Sequence, residues 1–350
     1  MHDLDFLAKK RVLITGHTGF KGSWLSRILV TAGAEVFGYA LEPEKNSLFS
    51  ALQLEKDMDS KIADIRDEEK LKNFIKLSKP EIVIHLAAQA LVRDSYEDPI
   101  TTYTTNVIGS LNLLNSVSGN DSIRSLVFIT SDKCYENFEW PWGYRETDQL
   151  GGHDPYSASK ACAELLFSSF CRSFWSERKA FSASARAGNV IGGGDYSKDR
   201  IIPDCIRAAM NSDTVFLRNP KSTRPWQHVL EPLSGYIALS RSLFNGEINE
   251  IPSSWNFGPD IQKEITTMEV AKSVLHTLGS GDLKFDESSQ PHEAGLLQLN
   301  CDKAKIQLGW QPKWDSIKSI NKTSVWYKSV MDGESAKEVT DNQIQEYFNE

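Results

Sequence analysis

The chain has 350 residues and a formal net charge of −8, from 39 Lys+Arg against 47 Asp+Glu. That length holds two domains, or one large domain with a lobe, and buries a full core without disulfide or metal staples. A globular composition, 40% hydrophobic and 25% charged, excludes gross disorder, and the acidic balance argues against nucleic acid or an anionic membrane as the main partner.

In chain order, residues 11–15 (RVLIT) read as a buried strand ending at a glycine turn. Apolar residues then recur at helical spacing from Ser23 to Thr31, and Gly33 stops them. Strands follow at 35–41, 61–65 and 81–88, with a polar helix at 67–78. A helix over 102–117, a strand at 125–130, a helix over 156–175 and a strand at 181–187 complete an alternating series. This pattern predicts an α/β fold, a Rossmann-type doubly wound parallel sheet with helices on both faces. After 190 the pattern is irregular, with a Gly192-Gly193-Gly194-Asp195 loop, a basic stretch at 218–228, and a charged tail from 332 that reads as a helix or a frayed end. The expected division is a Rossmann-type domain over 1–189, to which a segment at about 227–260 returns, and a smaller C-terminal lobe over 190–350.

No stretch approaches the roughly 18 apolar residues of a membrane span. The start, Met1-His2-Asp3-Leu4-Asp5-Phe6, lacks the basic and apolar regions of a signal peptide. Cys134, Cys162, Cys171, Cys205 and Cys301 are odd in number and form no CxxC, which fits reduced thiols in a cytoplasmic protein. No His/Cys cluster has metal-ligand spacing, so no metal is expected.

Three motifs carry chemistry. Gly16-His17-Thr18-Gly19-Phe20-Lys21-Gly22 joins the first strand to the first helix. Glycines there let backbone approach a pyrophosphate, and the helix N-terminus offers free N–H groups. The spacing is GxxGxxG rather than GxGxxG. For Lys21 two readings stand, near the phosphates or solvated. Glu42, at the end of strand two, is the carboxylate expected on the ribose hydroxyls, favouring NAD over NADP; Glu44 competes with it. Asp64 and Ile65 end strand three, where they can frame an adenine.

Tyr156 and Lys160 lie four residues apart and so on one helix face. An ammonium beside a phenol favours the phenolate, a base suited to neutral pH. Thr130-Ser131-Asp132-Lys133 follows strand five, where open α/β sheets bind their ligands. Trp226, Trp255 and Trp310 read as core, and His228 and His292 as structural or hydrogen-bonding residues.

Thr15-Gly16-x-x-Gly19-x-x-Gly22, His85-Leu86-Ala87-Ala88, Ser131-Asp132-Lys133 and Tyr156-x-x-x-Lys160 together resemble the extended short-chain dehydrogenase/reductase superfamily of NAD-dependent nucleotide-sugar epimerases and dehydratases. The segments 16–26, 129–137, 186–195 and 224–236 are most similar to the branch of it that dehydrates CDP-glucose. The likeness covers roughly residues 8–330. It implies a hydro-lyase that forms a CDP-linked 4-keto-6-deoxy sugar for deoxysugar and surface-polysaccharide (lipopolysaccharide O-antigen) biosynthesis. Tyr156, assisted by Lys160, removes the 4-hydroxyl proton. Lys133 takes the C5 proton, Asp132 protonates the departing C6 hydroxyl, and Ser131 hydrogen-bonds the C4 oxygen.

Leu86, Ala87 and Ala88 are carried over as cofactor contacts, and Asn189 and Arg224 as diphosphate ligands. Arg218 can join them, and Arg93 stands between a sugar contact and a surface residue. Dehydratases acting on other nucleotide sugars commonly carry Thr-Asp-Glu where this chain has Ser131-Asp132-Lys133. The alternatives are a dehydratase or epimerase for a dTDP-, UDP- or GDP-sugar and, remotely, a non-catalytic NAD-binding regulator. The resemblance also implies a homodimer, or a tetramer, through the helices 102–117 and 156–175.

Overall fold

The computed structural model describes residues 2–176, 181–217, 219–248, 250–260, 265–285 and 296–350. Seven parallel strands form the main sheet: β1 (Arg11–Thr15), β2 (Glu35–Ala40), β3 (Asp59–Ile62), β4 (Ile82–His85), β5 (Ser125–Ile129), β6 (Ser182–Ala187) and, after three short strands that lie outside this sheet, β10 (Ser254–Phe257). Their spatial order is β10-β6-β5-β4-β1-β2-β3, so the direction of winding reverses between β1 and β4. Ligands of such sheets bind outside the carboxyl ends of the strands at that reversal. The α/β doubly wound class read from the alternation is the observed one.

β1 is legible because both of its faces are covered: Val12, Leu13 and Ile14 are fully buried, and a strand buried on two sides is apolar throughout. The helix Phe20–Thr31 packs Trp24, Leu25, Ile28 and Leu29 into the core, and Gly33 at φ 76° turns the chain toward β2. Asp67 caps the helix Glu68–Ser78 by accepting from the Lys70 N–H.

Two regions depart from the sequence reading. The single helix expected over 102–117 is three pieces: an α-turn Pro99–Tyr103, a π-helical segment Thr104–Gly109, and an α-helix Ser110–Val117. The wide turn accompanies a close approach at Gly109, where a Cβ would stand 2.6 Å from Ile65 Cγ2. Beyond 190 the chain is regular rather than irregular. β7 (Val190–Ile191) pairs with β9 (Gln227–His228), and β8 (Thr214–Leu217) with β11 (Asp282–Phe285). Helices Ile201–Asn211, Leu230–Asn245, Thr267–Leu278 and Ser316–Met331 intervene.

The tail is a helix, Ala336–Asn349, anchored where the Tyr347 hydroxyl donates to Glu231 Oε2 at 2.7 Å. Trp226, Trp255 and Trp310 are buried, as is His228; His292 lies outside the described residues. All five cysteines are free, and only Cys162 is exposed.

Candidate active site

A cleft of ≈ 690 Å³ lies over the carboxyl ends of β1, β4, β5 and β6. At one side of it stands the glycine loop. Gly16 has φ 78°, and a Cβ on it would meet Ala87 N at 2.7 Å; one on Gly22 would meet Gly16 O at 2.1 Å. These two glycines let the turn fold onto itself and onto the β4 segment Leu86-Ala87. Gly19 is the N-cap of Phe20–Thr31 and supplies no side-chain cap, so the first-turn N–H groups are offered to the cleft. A cradle of close backbone ending on an uncapped helix N-terminus fits the pyrophosphate of a dinucleotide.

Thr18, Phe20 and Lys21 line the cleft; His17 does not. The His17 ring is packed against Gly38 and edge-on to Phe49, with Nε2 2.7 Å from Ser60 Oγ. Burial lowers its pKa to about 4, so it is neutral at physiological pH. Lys21 is not a solvated residue. Burial first, then the neighbouring Arg200 and Lys160, lower its pKa to about 8, while Asp132 and Asp195 oppose them. Glu42 is exposed and outside the lining, because β2 ends at Ala40 and the chain turns outward. Asp64 and Ile65 do line it; Asp64 Oδ2 is 2.6 Å from Arg66 Nη2, and that bond holds its carboxyl below the usual range.

Tyr156 and Lys160 lie on the first turns of the helix Pro155–Phe174, which starts with Pro155 at its head and Asp154 as N-cap. The Lys160 ammonium is 5.9 Å from the Tyr156 ring centroid, and both side chains are buried. Burial pushes the Tyr156 phenol up to about 12; a hydrogen bond with the Ser131 hydroxyl and the Arg200 charge pull the other way. The expected lowering of the phenol is not met in the free protein, where desolvation outweighs the Ser131 hydrogen bond and the Arg200 charge. Burial also lowers Lys160 to about 8, against the pull of Glu164.

Beneath them Glu164 accepts from Arg186 Nη2 at 2.7 Å, from Ser184 Oγ at 2.8 Å and from Thr130 Oγ1. His85, bonded to Thr15 Oγ1 at 2.6 Å and Ser110 Oγ at 3.1 Å, is lowered to about 3 by burial and by Lys160.

Ser131 caps the short turn Asp132–Cys134, accepting from the Lys133 N–H and donating to Asp132 Oδ1 at 2.9 Å. Asp132 is buried; Lys133 is half-buried, and both line the cleft. The Asp132 carboxyl rests on Gly188: a Cβ there would lie 1.7 Å from Oδ2.

The β7–β9 pair brings Asn189 (φ 50°) beside the segment that carries Arg224, and both line the cleft. Arg224 Nη1 donates to Thr223 O at 2.8 Å. Arg93 lines it too, 3.2 Å from Asp199 Oδ1. Arg218 lies outside the described residues. The sequence reading missed Gly188, Asp195, Arg200 and Glu164. Only Glu164 carried a local signal, as the next residue at four-residue spacing on the Tyr156–Lys160 face. Among the described residues, no group of three metal-ligating side chains converges and no helix is long and apolar enough to cross a membrane.

Residues 13–323 match the family described as GDP-mannose 4,6 dehydratase. The chain is 49% identical to CDP-glucose 4,6-dehydratase of Salmonella typhimurium over 99% of both chains. It is 29% identical to dTDP-D-glucose 4,6-dehydratase of Dictyostelium discoideum, over 79% of this chain and 64% of that protein. Among solved structures, dTDP-glucose 4,6-dehydratase of Bacillus anthracis with NAD superposes at TM-score 0.77 with 23% identity, covering 92% of this chain and 97% of that one. That likeness is one of fold.

Proposed function

The chain belongs to the GDP-mannose 4,6 dehydratase family, and on that premise we propose that it is an NAD-dependent hydro-lyase converting CDP-glucose to CDP-4-keto-6-deoxyglucose. The observation that carries the reading is the convergence of Asp132 and Lys133 with Tyr156 in one cleft. An epimerase needs the tyrosine base but no acid–base pair for C5–C6 elimination.

Gly16, Thr18, Gly19, Phe20 and Gly22, with Leu86, Ala87, Ala88, Asp64 and Ile65, hold NAD. Bound there, NAD would supply the hydride acceptor for C4 and the hydride donor for C6. Tyr156 takes the proton of the C4 hydroxyl, helped by Lys160 and by the Ser131 hydroxyl on the C4 oxygen. The resulting 4-keto group acidifies the C5 hydrogen. Lys133, neutral when it acts, removes that proton, and Asp132, protonated, gives one to the departing C6 oxygen, so water leaves. Lys133 then returns a proton to C5. Asn189 and Arg224 grip the diphosphate, the latter with a geometry suited to phosphate oxygens.

We ascribe the cofactor to residues 1–189 with about 227–260, and the nucleotide sugar mainly to 190–350. The molecule acts as a homodimer. Ile100, Ile108, Leu111 and Leu165 are exposed apolar residues on the helical segments 99–117 and 155–174, and a second copy covers them. Free cysteines fit a reducing cytoplasm, and the product feeds deoxysugar assembly.

Lys133→Met tests the elimination. The variant reduces its cofactor on mixing with substrate, the reduced form persists, and hydrogen at C5 does not exchange with deuterated solvent. A variant forming 4-keto-6-deoxy product at the wild-type rate removes Lys133 from the mechanism and reopens the epimerase reading.

A further inference from the structure

Most of the cleft wall supplied after residue 200 comes from two elements packed on each other, the first turn of Ile201–Asn211 and strand β8, continued by the 219–226 segment, with Thr267 and Leu297 beside them. Along β8, Val215 and Leu217 are buried while the alternating Phe216 is 62% exposed and lines the cleft. An exposed aromatic face at a cleft wall suits stacking of a flat ring. Asp204 stands on the neighbouring helical turn, and it is the one carboxylate of this stretch of lining among the described residues.

Its position is fixed. Asp204 Oδ1 accepts from Arg207 Nη2, and Arg207 Nη1 is itself bonded to Tyr196 O at 3.0 Å and more distantly to Ser197 O at 3.4 Å. The carboxylate is thus held at the wall by a guanidinium tied to backbone. An ionised carboxylate only accepts hydrogen bonds. Cytosine presents an exocyclic amine, a donor, where uracil and thymine present a carbonyl oxygen, an acceptor. The same carboxylate therefore attracts the first edge and repels the other two.

We infer that Asp204 reads the base of the nucleotide sugar, accepting the cytosine amine while Phe216 stacks on the ring. This rests on the nucleotide-sugar reading above, and it names the residue that selects among pyrimidines.

The test compares wild type, Asp204→Asn and Asp204→Glu in the full chain. CDP and UDP binding are titrated calorimetrically, and kcat and KM are measured with CDP- and UDP-glucose. Wild type is expected to favour CDP by about 10-fold or more, the scale of one well-placed base contact. Asp204→Asn brings the two nucleotides within about threefold through weaker CDP binding and higher KM, with kcat near wild type. Asp204→Glu retains a preference for CDP. Unchanged NAD binding shows that each variant is folded. An Asp204→Asn protein that keeps the wild-type CDP/UDP ratio overturns the inference. A wild type that binds CDP preferentially but turns over no CDP-sugar defeats the dehydratase reading while leaving the role of Asp204 to be decided by the binding ratio.

Discussion

Adding one methyl group at Gly188 should disable elimination without replacing any ionisable residue. The Cβ of a Gly188→Ala variant would lie 1.7 Å from Asp132 Oδ2 and 2.1 Å from Cγ. Ordinary contact begins at 3.4 Å, so the carboxyl must retreat by about 1.7 Å, the difference between the two distances. A misplacement of about 1 Å at a reacting group costs about 100-fold, and loss of a positioned acid costs about 10²–10⁴-fold. The expected fall in kcat is therefore about 100-fold or more, with NAD affinity unchanged because the glycine loop is remote in sequence and composed of other backbone. Alkali-induced absorbance of the 4-keto product gives the rate, and proton NMR in deuterated buffer follows exchange at C5, which should survive because Lys133 is intact. In the Gly188→Ala background, Asp132→Asn should add little, since both remove the same acid. A Gly188→Ala enzyme working within threefold of wild type would refute the role of Asp132.

Tyr156→Phe should lose about 10²–10⁴ in kcat while retaining its melting temperature, measured by steady-state assay and circular dichroism. Glu42→Ala should leave the ratio of NAD to NADP affinity within about twofold of wild type in a cofactor titration, as expected for a side chain outside the cleft; a narrowed ratio would show that Glu42 reaches the ribose. Glu164→Gln should destabilise by about 3–5 kcal/mol in urea melts, because Arg186 is left buried without its partner. Burial holds His17, His85 and His228 at about 4, 3 and 3, so the unfolded chain binds protons first as pH falls. The stability these histidines contribute is complete above about 6.5 and is lost between there and about 3. Glu231, raised to about 7 by burial, works in the opposite sense between about 4.5 and 7, as does Glu146, also raised by burial, but these are two groups against three. The urea midpoint should therefore be lower at pH 5 than at pH 7, and an equal or higher midpoint at pH 5 would contradict this.

What the sequence disclosed depended on how local the cause was. β1, β4 and β5 are buried on both faces, so their apolar runs announce them. The helices beyond 190 were hidden because Pro203 and Pro232 sit in first turns, where proline is tolerated but reads as a break, and because the strands there have two to four residues. The glycine loop and the Tyr156–Lys160 pair were readable from spacing set within the strand–helix alternation, since either spacing by itself is common.

Glu42 was chosen by its distance from the loop, and spacing does not tell that β2 stops two residues earlier. His17 lies inside the loop motif, yet its ring fills space left by Gly38, a contact between distant residues. Gly188, Asp195 and Arg200 reach the site only because the chain beyond β6 folds back over it, and nothing local to them shows that.

The measurement that bears most directly on the central claim is turnover of purified enzyme with NAD on CDP-, dTDP-, UDP- and GDP-glucose, scored by 4-keto-6-deoxy product. CDP-glucose should give the highest kcat/KM of the four. A higher value with any of the other three, or interconversion of epimers with no 6-deoxy product, would contradict the account.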